Sequence, residues 1–498
     1  MAEEKTEQAG AAATTSAESL LSDIAGYTTG LLEKPKLPGG VERHDETARG
    51  MTAIIQEVMK STAETPAFNV DTIDQMIADI DTQLSAQVDE ILHDPKYQEL
   101  ESTWRGLKFL VDRTNFDEMN RVEFLSVSKQ ELEDDFDSAP TLRASRLCRV
   151  VFEEEYGTFG GEPIGAMIGN YSFNPSSPDM ALLRKIANVA SQAHAPFISS
   201  AGPQFFNRDS FEGLPTLNSV KTTAHKKWQS FRESENANYV GLTMPRFLLR
   251  LPYDPTENPA RSFLYQEKLA EDHENYLWGN AAFAFATRLT ESFAKYRWCP
   301  NIIGPRAGGA IEDMPLHSYK ALGAMETKPP TEISLSETRE LELAKEGFIP
   351  LVYRKGSDNS CFFSASSVQK PKFFGNSPAG KAAETNFKLG TQLPYMFLVT
   401  RLAHHIKVFQ REELGSAKSR ESLESELNDW IKQYISAQNN PPAAVMAKRP
   451  FREVALSVKD VPGEPGWYSV KMRLRPHLKY MGAYFDLSLV GSLETTGG

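Results

Sequence analysis

The C-terminal part of the chain contains three segments in which apolar and polar residues alternate, and this pattern constrains the fold more than any other feature. Alternation with a period of two residues is typical of a β-strand with one buried face. The apolar positions are Val454, Leu456 and Val458, then Tyr468, Val470, Met472 and Leu474, and finally Ala483, Phe485, Leu487 and Leu489. The run Pro462–Gly466 cannot continue a strand and reverses the chain. The sequence therefore predicts a small antiparallel sheet.

A sheet of two or three strands leaves backbone N–H and C=O groups unpaired along its edge, and such an edge must be covered or paired. We expect it to pair with another chain. The residues that would mark these intersubunit strands are Val454, Leu456, Val458, Val470, Met472, Leu474, Phe485, Leu487 and Leu489. The opposite face of the second strand carries a cationic stripe formed by Lys471, Arg473 and Arg475. This stripe is a candidate contact with another molecule, and a solvated outer face is the alternative.

The formal charge of the chain is unevenly distributed. The net charge is −12, but residues 1–140 hold 12 Lys and Arg against 29 Asp and Glu, so the remaining residues carry +5. This distribution suits head-to-tail packing with like or complementary subunits, although acidic helices exposed to solvent would give the same pattern. It does not suit binding to nucleic acid, which requires a strongly cationic surface.

Cysteine usage and hydropathy favour a cytoplasmic protein that is not embedded in a membrane. The cysteines have no short spacing that would indicate a disulfide framework or a metal knuckle: Cys148, Cys299 and Cys361. Residues 1–19 lack the basic and apolar regions of a signal peptide. The longest uncharged apolar segments, Asn275–Thr287 and Leu389–Thr400, are shorter than the roughly 20 residues that cross a bilayer.

A short amphipathic helix is predicted after residue 19. Residues 1–19 contain few apolar side chains to bury. The apolar residues that follow have helical spacing: Leu20, Leu21, Ile24, Tyr27 and Leu31. Such a helix is a good ligand for a groove on another protein. Packing on the body of its own chain is the alternative.

Two consecutive helices are predicted between residues 70 and 111. The first has an apolar stripe formed by Val70, Ile73, Ile77, Ile80, Leu84, Val88 and Ile91. Asp94 and Pro95 then begin a second helix, with a stripe formed by Tyr97, Leu100, Trp104, Leu107 and Val111. Gly106 weakens this helix by about 1 kcal/mol relative to alanine, so we expect another backbone to approach closely there.

The middle of the chain has the pattern of an α/β fold. A strand at 163–169, a helix at 179–193 and a strand at 196–201 predict a βαβ unit with a parallel strand pair. The turn Asn170–Pro178 is too bulky to hold a diphosphate, which requires a glycine-rich turn. Further predicted elements are helices over 274–298, 336–345, 393–411 and 423–434, and a hairpin with strands at 348–353 and 361–365.

No segment carries a recognised catalytic or cofactor motif. The adjacent His404 and His405 point about 100° apart on a helix and cannot bind one ion together. Gly304–Gly309 lacks the Gly-Lys-Ser/Thr ending of a phosphate-binding loop and predicts a tight turn. We expect no cofactor, no metal and no enzymatic activity. An enzyme whose catalytic residues come from distant segments is the alternative.

Several segments resemble the large sheath subunit of bacterial type VI secretion systems, and they occur in the order of that family. They are Tyr97–Val111 (YQELESTWRGLKFLV), Gly241–Tyr253 (GLTMPRFLLRLPY), Tyr276–Ala281 (YLWGNA), Gly308–Gly309 with Glu312–Pro315 (EDMP), Arg401–Lys407 (RLAHHIK) and Leu474–His477 (LRPH). The resemblance extends from about Glu42 to Val490. It implies a multidomain, mixed α/β contractile tail-sheath-like fold whose C-terminal strands complete an intersubunit sheet.

The resemblance also implies a set of partners. A small sheath subunit and other sheath protomers form the lattice, which surrounds an inner tube of hexameric rings and contracts to drive it outward. The lattice stands on a baseplate, and an AAA+ unfoldase recycles contracted sheaths by binding an N-terminal helix. Leu20, Leu21, Ile24 and Tyr27 are the candidate residues for that contact. Lys471, Arg473 and Arg475 are candidates for contact with the tube.

The expected organisation has three parts: a mobile N-terminal segment at 1–60 with the short helix, a central α/β sheath domain at 61–330, and a C-terminal sheath domain at 331–498 with the intersubunit strands. A phage-type or extracellular injection sheath would share the C-terminal architecture. Such a sheath would form its lattice without a distinct small subunit, so the sequence leaves that alternative open.

Overall fold

Helices and sheets are mixed along the chain, which confirms the predicted α/β class. The computed structural model describes residues 70–217, 219–256, 258–260, 263–269, 273–321, 324–412, 419–438, 441–460, 468–477 and 487–493. The chain divides into two compact units, Met1–Leu84 and Ser85–Gly498. None of the helices in the described ranges is both long and apolar enough to cross a bilayer.

The main helices are α1 Val70–Leu92, α2 Pro95–Asp112, α3 Lys129–Ser138, α4 Ser177–Ala193, α5 Lys226–Arg232, α6 Ala281–Tyr296, α7 Glu337–Lys345, α8 Pro378–Gly390, α9 Leu393–Glu412, α10 Arg420–Lys432 and α11 Ala443–Lys448. A helical stretch with a π turn at Arg149–Glu153 runs from Arg146 to Gly157. The strands are β1 Met167–Phe173, β2 Phe197–Ala201, β3 Val240–Met244, β4 Phe247–Leu248, β5 Trp278–Gly279, β6 Ala310–Ile311, β7 His317–Ala321, β8 Ala324–Lys328, β9 Phe348–Tyr353, β10 Ser360–Phe362, β11 Phe451–Asp460, β12 Tyr468–Pro476 and β13 Leu487–Leu493.

Helix α2 begins as predicted. The Asp94 side chain accepts hydrogen bonds from the backbone N–H groups of Lys96 and Tyr97, and Pro95 occupies the first turn. The prediction of a close backbone neighbour at Gly106 was wrong. A Cβ atom at Gly106 would lie 2.6 Å from the Phe283 ring, so the close neighbour is an aromatic side chain of α6.

The main sheet contains the predicted βαβ unit. Its order is β1-β2-β3-β9-β10-β6, in which β1, β2, β3 and β9 run parallel to one another while β10 is antiparallel to both β9 and β6. Strand β1 begins at Met167 rather than at Pro163. The reason is that pairing with β2 starts where the Met167 N–H donates a hydrogen bond to the Pro196 carbonyl at 2.9 Å. The hairpin of β9 and β10 is confirmed with a shorter second strand than predicted.

The helix predicted over 274–298 occupies only Ala281–Tyr296. Residues Trp278 and Gly279 form β5, which pairs with β4. The Asn280 side chain then caps the helix by accepting a hydrogen bond from the Ala282 N–H. The helix ends at Arg297, whose φ is 65°. Most of α6 is buried, as the apolar pattern predicted.

Two of the large apolar cores in the described part of the second unit support its two larger sheets. One is formed by the main sheet with α3 and α4, and the largest buried side chains in it include Phe173, Phe205, Trp228 and Phe348. The other joins Trp298, helices α8, α9 and α10, and strands β11 and β12. The second core fixes the C-terminal sheet on helices α8, α9 and α10.

Candidate assembly interface

The three alternating C-terminal segments form an antiparallel sheet with the order β11-β12-β13. In one row, Leu456 of β11 lies opposite Met472 of β12, which lies opposite Leu489 of β13. Two residues further along each strand, Val454 lies opposite Leu474. The register therefore places apolar residues on one face throughout, as the two-residue period predicted.

This apolar face packs on the helices of the same chain. Leu456, Val458, Val470, Met472 and Leu474 are buried, and Val454 is half-buried against them. They share a core with residues of α9 and α10: Leu402, Leu427 and Ile431. These side chains of the predicted intersubunit strands are buried against helices of the same chain. A partner chain would therefore have to bind the backbone groups along an edge of the sheet.

The base of β11 is held by aromatic contacts and backbone hydrogen bonds. The Phe451 ring lies 5.6 Å from the Trp298 ring in an edge-to-face arrangement. The Ser436 N–H donates to the Phe451 carbonyl at 2.9 Å. Where β12 ends, His477 is buried and its Nε2 lies 2.7 Å from the Ser436 carbonyl. The chain therefore fixes the position of the sheet on its own helices.

The two outer edges of the sheet differ. Along β11, Phe451 forms a parallel bridge with Ile435, and the Val458 N–H donates to the Glu424 carboxylate of α10 at 3.4 Å. Along β13, no strand in the described part of the chain pairs with the side opposite β12. Among the described residues, the outer edge of β13 is thus the one without a paired strand.

The cationic stripe lies on the face opposite the helices. Lys471 and Arg473 are exposed, and their cross-strand neighbours on β11 are Ser457 and Ala455. Within the described ranges, neither cation forms an ion pair. Arg475 differs, because its guanidinium lies 3.1 Å from the Glu453 carboxylate. Lys471 and Arg473 therefore present their positive charge outward.

The only histidine and carboxylate cluster with metal-ligand spacing in the described residues consists of His273, Glu274 and Glu332. Arg246 binds both oxygens of Glu332, at 2.9 and 2.8 Å. Burial alone would raise the pKa of Glu332, but hydrogen bonds from Arg246 and His273 hold it below its usual value. Lys328 Nζ lies 2.8 Å from His273 Nδ1. Because side-chain cations already neutralise these carboxylates, the cluster is an ion-pair network.

Comparisons with known proteins match two consecutive segments of the chain. The tail sheath N-terminal domain described as EvpB/VC_A0108 matches residues 74–369, and the tail sheath gpW/gp25-like domain of the same description matches residues 382–493. The chain is also 36% identical, over 471 residues, to the type VI secretion system sheath protein TssC1 of Pseudomonas aeruginosa. The alignment covers 93% of each of the two chains.

The chain belongs to the family of type VI secretion sheath proteins. This confirms the family indicated by the sequence motifs from Tyr97 to His477. The C-terminal sheet of this sheath protein lies within the gpW/gp25-like segment. The proposed division at residues 60 and 330 stays a prediction.

Several candidate residues lie outside the described part of the sheath protein: Leu20, Leu21, Ile24, Tyr27 and Phe485. Leu487 and Leu489 lie on β13, where the backbone pairs with β12. The sequence did not identify Glu424, Trp298 or Phe451 as supports of the sheet. Phe451 is out of phase with Val454, Leu456 and Val458, because the pairing register shifts between Phe451 and Glu453, so the alternation could not identify it.

Proposed function

We propose that this sheath protein is the large subunit of a cytoplasmic contractile sheath, and that a strand from a neighbouring protomer's small subunit pairs with the open edge of β13. The observation that carries the proposal is the contrast between the two edges of the C-terminal sheet. The chain's own Glu424 and Ile435 engage the edge of β11. The described residues contain no strand that pairs with the outer edge of β13.

Strand addition suits a lattice that must stay connected while its subunits move. Main-chain hydrogen bonds supply the affinity in this binding mode, and each contributes only about 0.5 to 1.5 kcal/mol net. Strand β13 spans Leu487–Leu493, so one added strand forms a few such bonds. Repetition over the lattice converts these weak bonds into an avid connection. The sheet can hold while the bodies of the protomers rotate.

We further propose that the cationic face of β12 contacts the inner tube. The support is that Lys471 and Arg473 are exposed on the face away from α9 and α10. Arg475 contributes less free charge because it pairs with Glu453. An acidic tube surface would match this face, and a solvated outer face is the competing interpretation.

Contraction in this account requires no cofactor and no enzymatic step. The extended lattice is the less stable packing, and its relaxation to a tighter packing supplies the work. A baseplate starts assembly, and an AAA+ unfoldase recycles the contracted lattice. The proposed unfoldase contact is the N-terminal helix with Leu20, Leu21, Ile24 and Tyr27, which rests on the family resemblance and the apolar spacing alone.

Co-expression with the small sheath subunit tests this function. We expect negative-stain electron microscopy to show hollow, cogwheel-ended tubules when both subunits are present and none with this chain alone. Tubules formed by this chain alone would favour a phage-type or extracellular injection sheath. Turnover of a small molecule by the isolated chain would favour an enzyme.

Truncation tests the role of the C-terminal strands. Removal of Trp467–Gly498 should leave a soluble complex with the small subunit but no long sheaths. Removal of residues 487–498 is the sharper variant, because it keeps the hairpin of β11 and β12 on the helices. Removal of residues 494–498 is the matched control and should leave sheath length unchanged. Normal sheaths from the variant that lacks β13 would refute the proposal.

A further inference from the structure

The first part of α1 is covered little by the described part of the chain. Each side chain that is described in Asp74–Leu84 is exposed or half-buried. Burial begins at Ser85, and four residues later Tyr265 donates a hydrogen bond to the Asp89 carboxylate at 2.6 Å. The packed part of α1 thus begins at Ser85, and the turns before it need another surface if their apolar side chains are to be buried.

These exposed turns of α1 carry a narrow apolar line. Ile77 is 51% exposed, Ile80 is 36% exposed and Leu84 is 41% exposed. Val70 and Ile73 continue the same spacing of three and four residues toward the start of the helix. Two apolar positions in every seven form the contact line of a coiled coil, in which the partner is another helix. We call these five residues the α1 seam.

A segment just before α1 has the same apolar spacing. Met51, Ile54 and Val58 are separated by three and then four residues. Residues 51–60 lie outside the described part of the chain. A helix of this length is not stable alone in water, where isolated helices need at least about 12 to 15 residues. A helix at 51–60 therefore requires a surface on which its apolar positions can pack.

We propose that residues 51–60 form a helix that packs antiparallel on the α1 seam of the same chain. The connection at 61–69 contains Pro66, which interrupts a helix. A short connection of this kind places consecutive helices side by side and antiparallel. In that orientation the two apolar patterns fit in one register, with Met51 opposite Ile80, Ile54 opposite Ile77 and Val58 opposite Ile73.

The division of the chain into compact units supports this occupant of the α1 seam. The boundary between the two units falls at Leu84, inside α1, so the exposed turns of the helix belong to the same unit as the residues before them. The connection at 61–69 also gives residues 51–60 a high effective concentration at the seam, which a helix from another molecule lacks. This contact lies within one chain and does not depend on the proposed sheath function.

Cysteine cross-linking tests the register. The chain carries Ile54→Cys with Ile77→Cys, and its unassembled complex with the small sheath subunit is oxidised. We expect a disulfide within one chain, which peptide mass spectrometry identifies. The control carries Ile54→Cys with Leu84→Cys, two helical turns farther along the seam, and should give no internal disulfide. Background from native thiols is limited because Cys148 and Cys361 are buried.

Hydrogen exchange measures the packing without a new covalent bond. We expect the amides of residues 55–60 to be protected in the parent chain. Ile77→Asp should lower that protection at least about tenfold, because it places a charge in the apolar seam. Thr82→Asp is the matched control, since it adds the same charge to α1 at an exposed position off the seam. It should leave the protection unchanged.

The outcomes distinguish the occupants of the α1 seam. A disulfide that links two copies would assign the seam to a second copy and overturn the proposal. Rapid exchange of residues 55–60, with protection of α1 that appears only when the small subunit binds, would assign the seam to that subunit and overturn it as well. Equal exchange in the parent chain and in Ile77→Asp would show that residues 51–60 do not pack there. The sheath function is tested separately, by assembly of the unsubstituted chain.

Discussion

The Glu424 carboxylate accepts a hydrogen bond from the backbone N–H of Val458 at 3.4 Å. This contact places a side chain of α10 on a backbone donor of β11. Strand β13 has no described strand on its outer side. In the described part of the chain, a side chain of α10 therefore contacts one edge of the C-terminal sheet, and no strand pairs with the other edge.

Reversal of the charge on the exposed face of β12 should impair assembly around the tube. We expect Lys471→Glu with Arg473→Glu to reduce tube-filled sheaths at least about tenfold, because like charges would then face an acidic tube. Electron microscopy of sheaths assembled with and without tube protein gives the measurement. Lys432→Glu with Lys448→Glu, at sites on α10 and α11, is the charge-matched control. Unchanged assembly of the β12 variant would favour a solvated outer face.

Gly106→Ala should destabilise the chain although alanine favours a helix. The gain in helix propensity is about 1 kcal/mol. The new Cβ would lie 2.6 Å from the ring of buried Phe283, and overpacking of this kind costs about 1 to 3 kcal/mol. We expect the free energy of unfolding in urea to fall by up to about 2 kcal/mol, since the cost of the clash is larger than the propensity gain.

Gly390→Ala is the matched control for this substitution. Gly390 ends α8, and apart from its chain neighbours and the backbone of its own helix no heavy atom lies within 4 Å of the position of its added Cβ. This variant should be neutral or slightly stabilising. Equal gains in both variants would show that Phe283 does not restrict Gly106.

Acid should destabilise the second unit through the buried His404 and the half-buried His194. His404 Nε2 lies 3.2 Å from the Ala193 carbonyl, and the His194 ring lies 6.5 Å from the His404 ring. Burial lowers the pKa of His404 to about 3, with smaller effects of the His194 and Arg401 charges. Burial also lowers the pKa of His194 to about 4.

The sign follows from proton uptake. The unfolded chain binds protons at these histidines near pH 6.5, whereas the folded chain does not until about pH 4 or below. The stability that neutral histidines contribute is therefore complete above pH 6.5. It is lost as the pH falls, by about 1.4 kcal/mol per pH unit for each histidine.

His404→Gln measures this dependence directly. We expect urea unfolding between pH 7 and pH 5 to show a smaller loss of stability for the variant than for the parent chain. Comparison of the two slopes removes the contribution of carboxylates, which is common to both. Equal slopes would contradict the assignment of acid sensitivity to His404.

The sequence predicted those elements whose periodicity depends on the chain's own core. The alternation of Val470, Met472 and Leu474 indicated β12 and its buried face, and the structure buries all three side chains. The apolar pattern was a poorer guide to where a helix begins, because a capping side chain decides that boundary. Asn280 begins α6 several residues after the apolar pattern starts.

Periodicity alone could not show which molecule covers an apolar stripe. Leu100 and Trp104 have the spacing of a core-facing helix, yet the described part of the chain leaves both exposed. The neighbour of Gly106 was also beyond the sequence, because the contact with Phe283 joins residues far apart in the chain. The Glu424 contact with Val458 depends on tertiary placement in the same way.

Hydrogen exchange along β13 tests the central proposal most directly. Amide exchange of residues 487–493 is compared between the unassembled complex with the small subunit and the assembled sheath, with β12 as the internal reference. We predict that the outward-facing amides of β13 exchange rapidly before assembly and become strongly protected in the sheath, while protection of β12 changes little. Equal exchange of β13 in both states would contradict the pairing of its open edge with another chain.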